Sequence, residues 1–245
     1  MQAVNRVKRL RRGLLWLSVA ALVLGALPLY AISLYNHPYY DDYGFSAKAH
    51  QAWRDTGSVG AVLRAAWESA LETRQSWQGT YTGTLLSNVQ PGIFSEQLYF
   101  IGTFVLLTAF IACFLYFFSV VMGRLGMDRT GRWTLGCLAV TLMIQFMPDA
   151  GEALYGVQNL SGPSAALSIL SGEAARYDAE MTLREEALND PAQPVVTLSP
   201  LTAVPDVFMD DLIVPGAEYD VRPSLAAYYG KEAILIAGEE ENADE

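Results

Sequence analysis

A chain of 245 residues that is 52% hydrophobic, 17% charged and formally −10 at neutral pH is a poor partner for nucleic acid or anionic lipid headgroups, because its field repels both. The imbalance is local: residues 171–245 carry 17 acids against four bases, a net of −13. Two cysteines and two distant histidines supply neither a disulfide framework nor a zinc site by their spacing.

Residues 1–13 are basic, with Arg6, Lys8, Arg9, Arg11 and Arg12, and lead into 21 uncharged residues, Leu14 to Leu34. That length covers a bilayer core of about 30 Å. A signal peptide shares this plan, but no small-x-small cleavage site follows, which favours an uncleaved transmembrane helix over 14–34.

The segment 35–97 begins with Asn36-His37-Pro38-Tyr39-Tyr40-Asp41-Asp42-Tyr43. Two ionised carboxylates close to hydrocarbon are costly and tend to be there for a reason, one being chemistry on a polar substrate at the membrane surface. Further on, Val59, Val62, Leu63, Ala66, Trp67, Ala70 and Leu71 repeat at three and four residues, which predicts an amphipathic helix with Ser58 as its N-cap. Such a helix lies in the membrane interface with Trp53, Trp67 and Trp77 at headgroup depth, or else these aromatics pack onto other helices. Residues 74–84 interleave small polar groups with Trp77 and Tyr81. This pattern suits a sugar-facing wall in which Arg74 meets a phosphate; an ordinary turn explains it equally well.

Leu98 to Met122 is a second, stronger apolar run of 25 residues, followed by a basic connection, 123–132, with Arg124, Arg129 and Arg132. A third run, Trp133 to Met147, has only 15 residues, so a span over 133–150 has to recruit residues beyond Pro148 or thin the bilayer. The positive-inside rule puts the N-terminus and the Arg124–Arg132 loop in the cytoplasm, and 35–97 and everything after Pro148 outside. Cys113 and Cys137 fall inside spans and read as small buried apolar residues.

After a linker, 151–171, the region 172–238 is soluble in character. It opens with a helix to Asn189 ended by Pro191 and Pro194, then has β-prone runs at 195–198, 207–209, 212–214 and 233–236. Asp206, Asp210 and Asp211 read as solvated turn residues, and no 12-residue calcium loop is present. Residues 239–245 form an acidic, disordered end. The fold expected is mainly α: an integral membrane protein with about three transmembrane helices and a small extracytoplasmic α+β tail.

The basic start, single span, acidic pair in HPYYDDYGFS, amphipathic helix and WxGxY element (Trp77, Gly79, Tyr81) before span two resemble the front of a bacterial polytopic membrane family similar to GT-C-type glycosyltransferases. The stretch GEAARYDAEMTLREEAL from Gly172 resembles the soluble end of such proteins. The resemblance implies transfer of a sugar from a polyprenyl phosphate to an extracytoplasmic acceptor, with Asp41 or Asp42 as general base. In an extended segment the two side chains point opposite ways, which leaves one facing the site, with Asp41 preferred. The second carboxylate then orients the acceptor, holds a divalent cation or raises its neighbour's pKa. Capping of the following helix is the plainer role for the pair. The chain departs from the family in having three spans instead of many, which implies a missing middle joined within Tyr155–Gly172, and in Thr80 standing where a basic residue is expected. An inactive short form is one consequence. A non-catalytic, membrane-anchored envelope scaffold is the alternative from another class.

Overall fold

The basic segment and the first apolar run form one continuous helix, α1 (Gln2–Ile32), because Arg, Lys and Leu are all strong helix formers and nothing between them breaks the pattern. The structure, a computed structural model, describes residues 2–76, 81–146, 160–208, 210–217 and 219–239, with Ala3 in backbone only. It is mainly helical and divides into two units. The first comprises residues 1–34, 103–173 and 205–208; the second comprises 35–102, 174–204 and 209–245.

The first unit holds α1, most of α5 (Phe100–Arg124), α6 (Arg129–Gln145) and α7 (Ser161–Leu170). Two helical stretches among the described residues, Val4–Tyr35 and Glu96–Arg124, are long and apolar enough to cross a membrane. Leu22 and Ala26 of α1 close on Cys137, Val140 and Ile144 of α6, with Phe110, Phe114 and Phe118 of α5 packed against them. No residue of α5 is buried, and Cys113 is exposed there, unlike the buried position expected for it; Cys137 does lie in the core. Polar contacts pin both ends of the α1–α6 pair. The Arg11 guanidinium reaches Asp128 at 3.0 Å, and Asp128 also caps α6 by accepting from the Gly131 N–H. Gln145 Nε2 donates to the Gly25 carbonyl at 2.9 Å, and a Cβ at Gly25 would sit 3.0 Å from that nitrogen. A small residue opposite an amide is the usual way helices approach closely in an apolar bundle. The expected span over 133–150 is thus described only as far as Phe146. At 17 residues, about 26 Å, α6 is short for a complete crossing.

In the second unit, α2 (Asp41–Thr56) and α3 (Val59–Ser76) form an antiparallel hairpin. Gly57 ends α2 in the left-handed conformation, φ 59°, which suits a residue without Cβ. Ser58 caps α3 as expected, its hydroxyl facing the Ala61 N–H at 3.4 Å. α4 (Tyr81–Ser87) packs on α3. The region after residue 172 gives α8 (Glu173–Asn189), β1 (Val195–Leu198), α9 (Arg222–Tyr229) and β2 (Ala233–Ile236). β1 and β2 pair in parallel, Val195 opposite Ala233 through Leu198 opposite Ile236. The β-prone runs near Val207 and Leu212 form no strand; Ile213 enters the core from a loop instead.

The two segments of this unit share one core. Tyr43 of α2 is buried among Leu188 of α8, Val196 and Leu198 of β1, Leu225, Tyr228 and Tyr229 of α9, and Ile234 and Ile236 of β2. Arg54 Nη1 donates to the Tyr229 carbonyl at 2.8 Å, and Asn189 to Glu96 at 3.2 Å. Segment 35–102 and the C-terminal region, which read as separate domains in the sequence, therefore fold together.

Candidate functional site

Asp41 and Asp42 occupy the first turn of α2, not an extended strand. Consecutive helical side chains diverge by about 100°, and the two carboxylates accordingly meet different surroundings. Both sit where the helix dipole favours negative charge. Asp42 turns inward. Its Oδ2 accepts from the Tyr39 N–H at 3.0 Å and the Tyr99 hydroxyl at 2.5 Å. Burial raises Asp42 above the usual carboxylate range, outweighing those two donors, and the neighbouring Asp41 adds to the rise. Tyr99 itself is pushed well above an ordinary phenol by burial and by Asp42. Asp41 is exposed. Tyr40, which precedes the pair, holds the only positive φ of a non-glycine residue among those described, 25°, a strained conformation of the kind that persists where its surroundings over-determine it.

Just upstream, buried His37 is held between two carboxylates of α8, Nδ1 to Glu185 Oε1 at 2.7 Å and Nε2 to Asp178 Oδ1 at 3.0 Å. Burial lowers its pKa, but the two acids outweigh burial and leave it raised. Burial likewise pushes Glu185 up against the opposing pull of His37. The Tyr39 hydroxyl donates to the Asp210 carbonyl, and its pKa is pushed up to about 12, first by burial and then by Asp210 and Asp211.

Next to these groups is a cavity of about 50 Å³ lined by, among others, Tyr39, Tyr43, Tyr177, Arg184, Glu185 and Asp211. Asp41 and Asp42 do not line it. Its polar wall is a bidentate ion pair, Arg184 to Asp211 at 2.9 and 2.7 Å, with both side chains at most 10% exposed. Asp211 also accepts from the Leu201 and Ile213 N–H groups. Burial pushes it up, but Arg184 and these donors hold it below the usual range. This corrects the expectation that Asp211 is a solvated turn residue.

The proposed substrate residues divide. Arg74 is exposed in the last turn of α3, its guanidinium carbon 5.8 Å from the centre of the Tyr81 ring, which opens α4. Trp77, with Gly79 and Thr80 of the same element, lies outside the described residues. Lys48 of α2 pairs with Glu72 of α3 at 2.5 Å. In that antiparallel register, Arg74 is at the same end of the hairpin as Asp41. The Asn88 amide, which donates to the Phe45 carbonyl at 2.8 Å, anchors the end of α4 to α2 near that end as well. Tyr99 joins it from the residue before α5, an element the sequence presents only as the edge of an apolar run. Tyr99, His37 and Glu185 are the groups that sequence reasoning missed; their partners lie 57 and 148 residues away. Among the described residues no group of three or more His, Cys, Asp or Glu is placed to hold a metal ion. No protein-family model, curated protein or solved structure matches this chain.

Proposed function

We propose that this chain is a membrane protein of the GT-C-like type that handles a lipid-linked sugar at the bilayer surface, with Asp41 as general base. The observation carrying this reading is the pairing of roles at the start of α2. Asp41 is exposed and its carboxylate has no hydrogen-bond partner among the described residues, while Asp42 is anchored by Tyr99, the residue that leads into the apolar helix α5. A free carboxylate on a fixed helix start, next to a membrane-crossing element, is suited to take a proton from an acceptor hydroxyl as its oxygen attacks the anomeric carbon and the lipid phosphate leaves. Asp42 and Tyr99 fix the turn, and Arg74 meets the phosphate. A positioned base contributes about 10²–10⁴-fold. The test is sugar transfer from a polyprenyl-phosphate sugar by the full chain in membranes. Asp41→Asn should lower turnover by that factor with KM little changed, and transfer insensitive to Asp41→Asn removes the assignment.

Two observations support three crossings with the N-terminus in the cytoplasm. Arg11 pairs with Asp128, so the two basic clusters that the positive-inside rule assigns to one side do meet at one end of the bundle. Segment 35–102 shares one folded unit with residues 174–204 and 209–245, which favours placing these stretches on one side of a bilayer. The chain that leaves along α5 therefore has to return, and α6 with α7 supplies the return path. Cysteine accessibility at Lys8, Lys48, Arg129 and Lys231 tests it: Lys8 and Arg129 should label from one side, Lys48 and Lys231 from the other.

A non-catalytic scaffold is the second reading. It is favoured by the two hydrogen bonds that commit Asp42 Oδ2 to structure and by a cavity that the acidic pair does not line. On that reading Asp41→Asn leaves every measured property unchanged.

A further inference from the structure

α3 has more apolar surface than its own unit uses. Val62, Ala66 and Ala70 are buried against α2 and its neighbours, at 0%, 0% and 4% exposure. A second row one step around the helix, Val59, Leu63, Trp67 and Leu71, stays open at 54%, 55%, 59% and 38%. These four recur at exactly four-residue intervals, a ridge of about 18 Å. We propose that this ridge docks into the headgroup–acyl boundary of the bilayer, laying α3 in the membrane plane. The proposal rests on the reading of α1 and α5 as membrane-crossing helices.

Three features favour a lipid surface over a soluble partner. Segment 35–99 is joined covalently at both ends to those apolar helices, which keeps any apolar face on it at high effective concentration near lipid. Trp67 sits mid-ridge, and an amphipathic indole is the side chain that interfaces favour. Arg74 and the Tyr81 ring, 5.8 Å apart, continue beyond the last ridge residue, a cationic and aromatic pair suited to headgroup depth. The four charges of α3, Arg64 and Arg74 against Glu68 and Glu72, cancel. Docking should accordingly come from apolar insertion, with no need for anionic lipid.

The test uses the full chain with Cys113→Ala and Cys137→Ala, reconstituted in phosphatidylcholine vesicles, with an environment-sensitive fluorophore on Leu63→Cys, Trp67→Cys or, as the polar-face control, Glu68→Cys. Docking predicts blue-shifted emission and quenching by shallow nitroxide lipids at 63 and 67, and neither at 68, unchanged by salt. Aqueous emission at all three sites in a chain that resists carbonate extraction overturns the docking and leaves the spanning helices standing. Shielding at 63 and 67 without nitroxide quenching means that protein covers the ridge, a second copy or another partner, and also overturns it. Extraction of the chain by carbonate removes the membrane reading itself, and the docking with it.

Discussion

The second unit buries ionisable groups whose pKa values move in opposite senses. His37 is raised above 6.5 because Glu185 and Asp178 outweigh its burial. A group whose folded pKa is raised contributes stability that is complete below its unfolded value and is lost as pH rises through the folded one. Asp42 and Glu185, raised by burial from 3.8 and 4.5, act in the same sense at lower pH. Asp211, held below 3.8, acts oppositely, since its contribution is lost as pH falls through its folded value. The unfolding midpoint of the purified chain should therefore fall as pH rises from about 6 to 8, and His37→Gln should flatten that slope. A midpoint independent of pH over this range in the wild type would show that the three-way contact does not form. Arg184 sets a second case. Arg184→Met leaves Asp211 buried and unpaired, which should cost about 3–5 kcal/mol. Arg184→Met with Asp211→Leu should recover only part, because the Leu201 and Ile213 N–H groups then lose their acceptor. Chemical denaturation of the single and double variants measures both. None of this was legible in the sequence, where Asp211 sits among other turn acids and its partner is 27 residues away.

Local patterns carried the elements well where one periodicity was in force. The spacing at 58–71 gave α3 and its Ser58 cap, the Ala- and Glu-rich stretch gave α8, and β1 and β2 fall on two of the four β-prone runs. The periodicity misled on width. It merged the buried row of α3 with the exposed one, since both are apolar and only packing separates them. Likewise Trp53 and Trp67 looked alike, yet Trp53 packs edge-on to Phe94 with ring centres 5.0 Å apart while Trp67 stays open. The candidate site was half legible: the acidic pair and Arg74 stand out as charges near apolar runs, whereas Tyr99 is hidden in a run of like aromatics. At this scale α6 is held to α1 by a polar bond as well as by apolar packing. Gln145→Leu keeps volume but gives up the bond to Gly25, for an expected loss of about 0.6–2 kcal/mol. Unfolding of α6 by denaturant in mixed micelles reads it, and Gln145→Leu at wild-type stability would mean that apolar packing alone holds α1 to α6.

For the whole molecule, the consequence with the widest reach is that segment 35–102 closes a small core by itself, around Ala49, Val62 and Ile93, but leaves Tyr43 to the C-terminal region. Tyr43 is closed by residues of α8, α9 and the β1–β2 pair, and His37 is held by Glu185 and Asp178 of α8. Those contacts join residues far apart in sequence, Tyr43 and Tyr229 being 186 positions apart. Closing loops of this length costs entropy before any contact repays it. Segment 35–102 should thus remain incompletely packed until the C-terminal region has been made. Removing residues 172–245 tests this directly. The truncated chain keeps α1, α5 and α6, while near-ultraviolet circular dichroism and protease resistance of segment 35–99 should be lost. Cleavage should then concentrate around Tyr39 to Phe45, whose apolar partners are gone. Adding the C-terminal region back as a separate polypeptide should restore resistance, and His37→Gln should weaken the restored complex most near pH 6, where the protonated imidazole has both carboxylates to hold. A truncated chain whose segment 35–99 resists protease as the full chain does would mean that the α2–α3 hairpin folds alone, and that the shared core is an attachment and not a requirement.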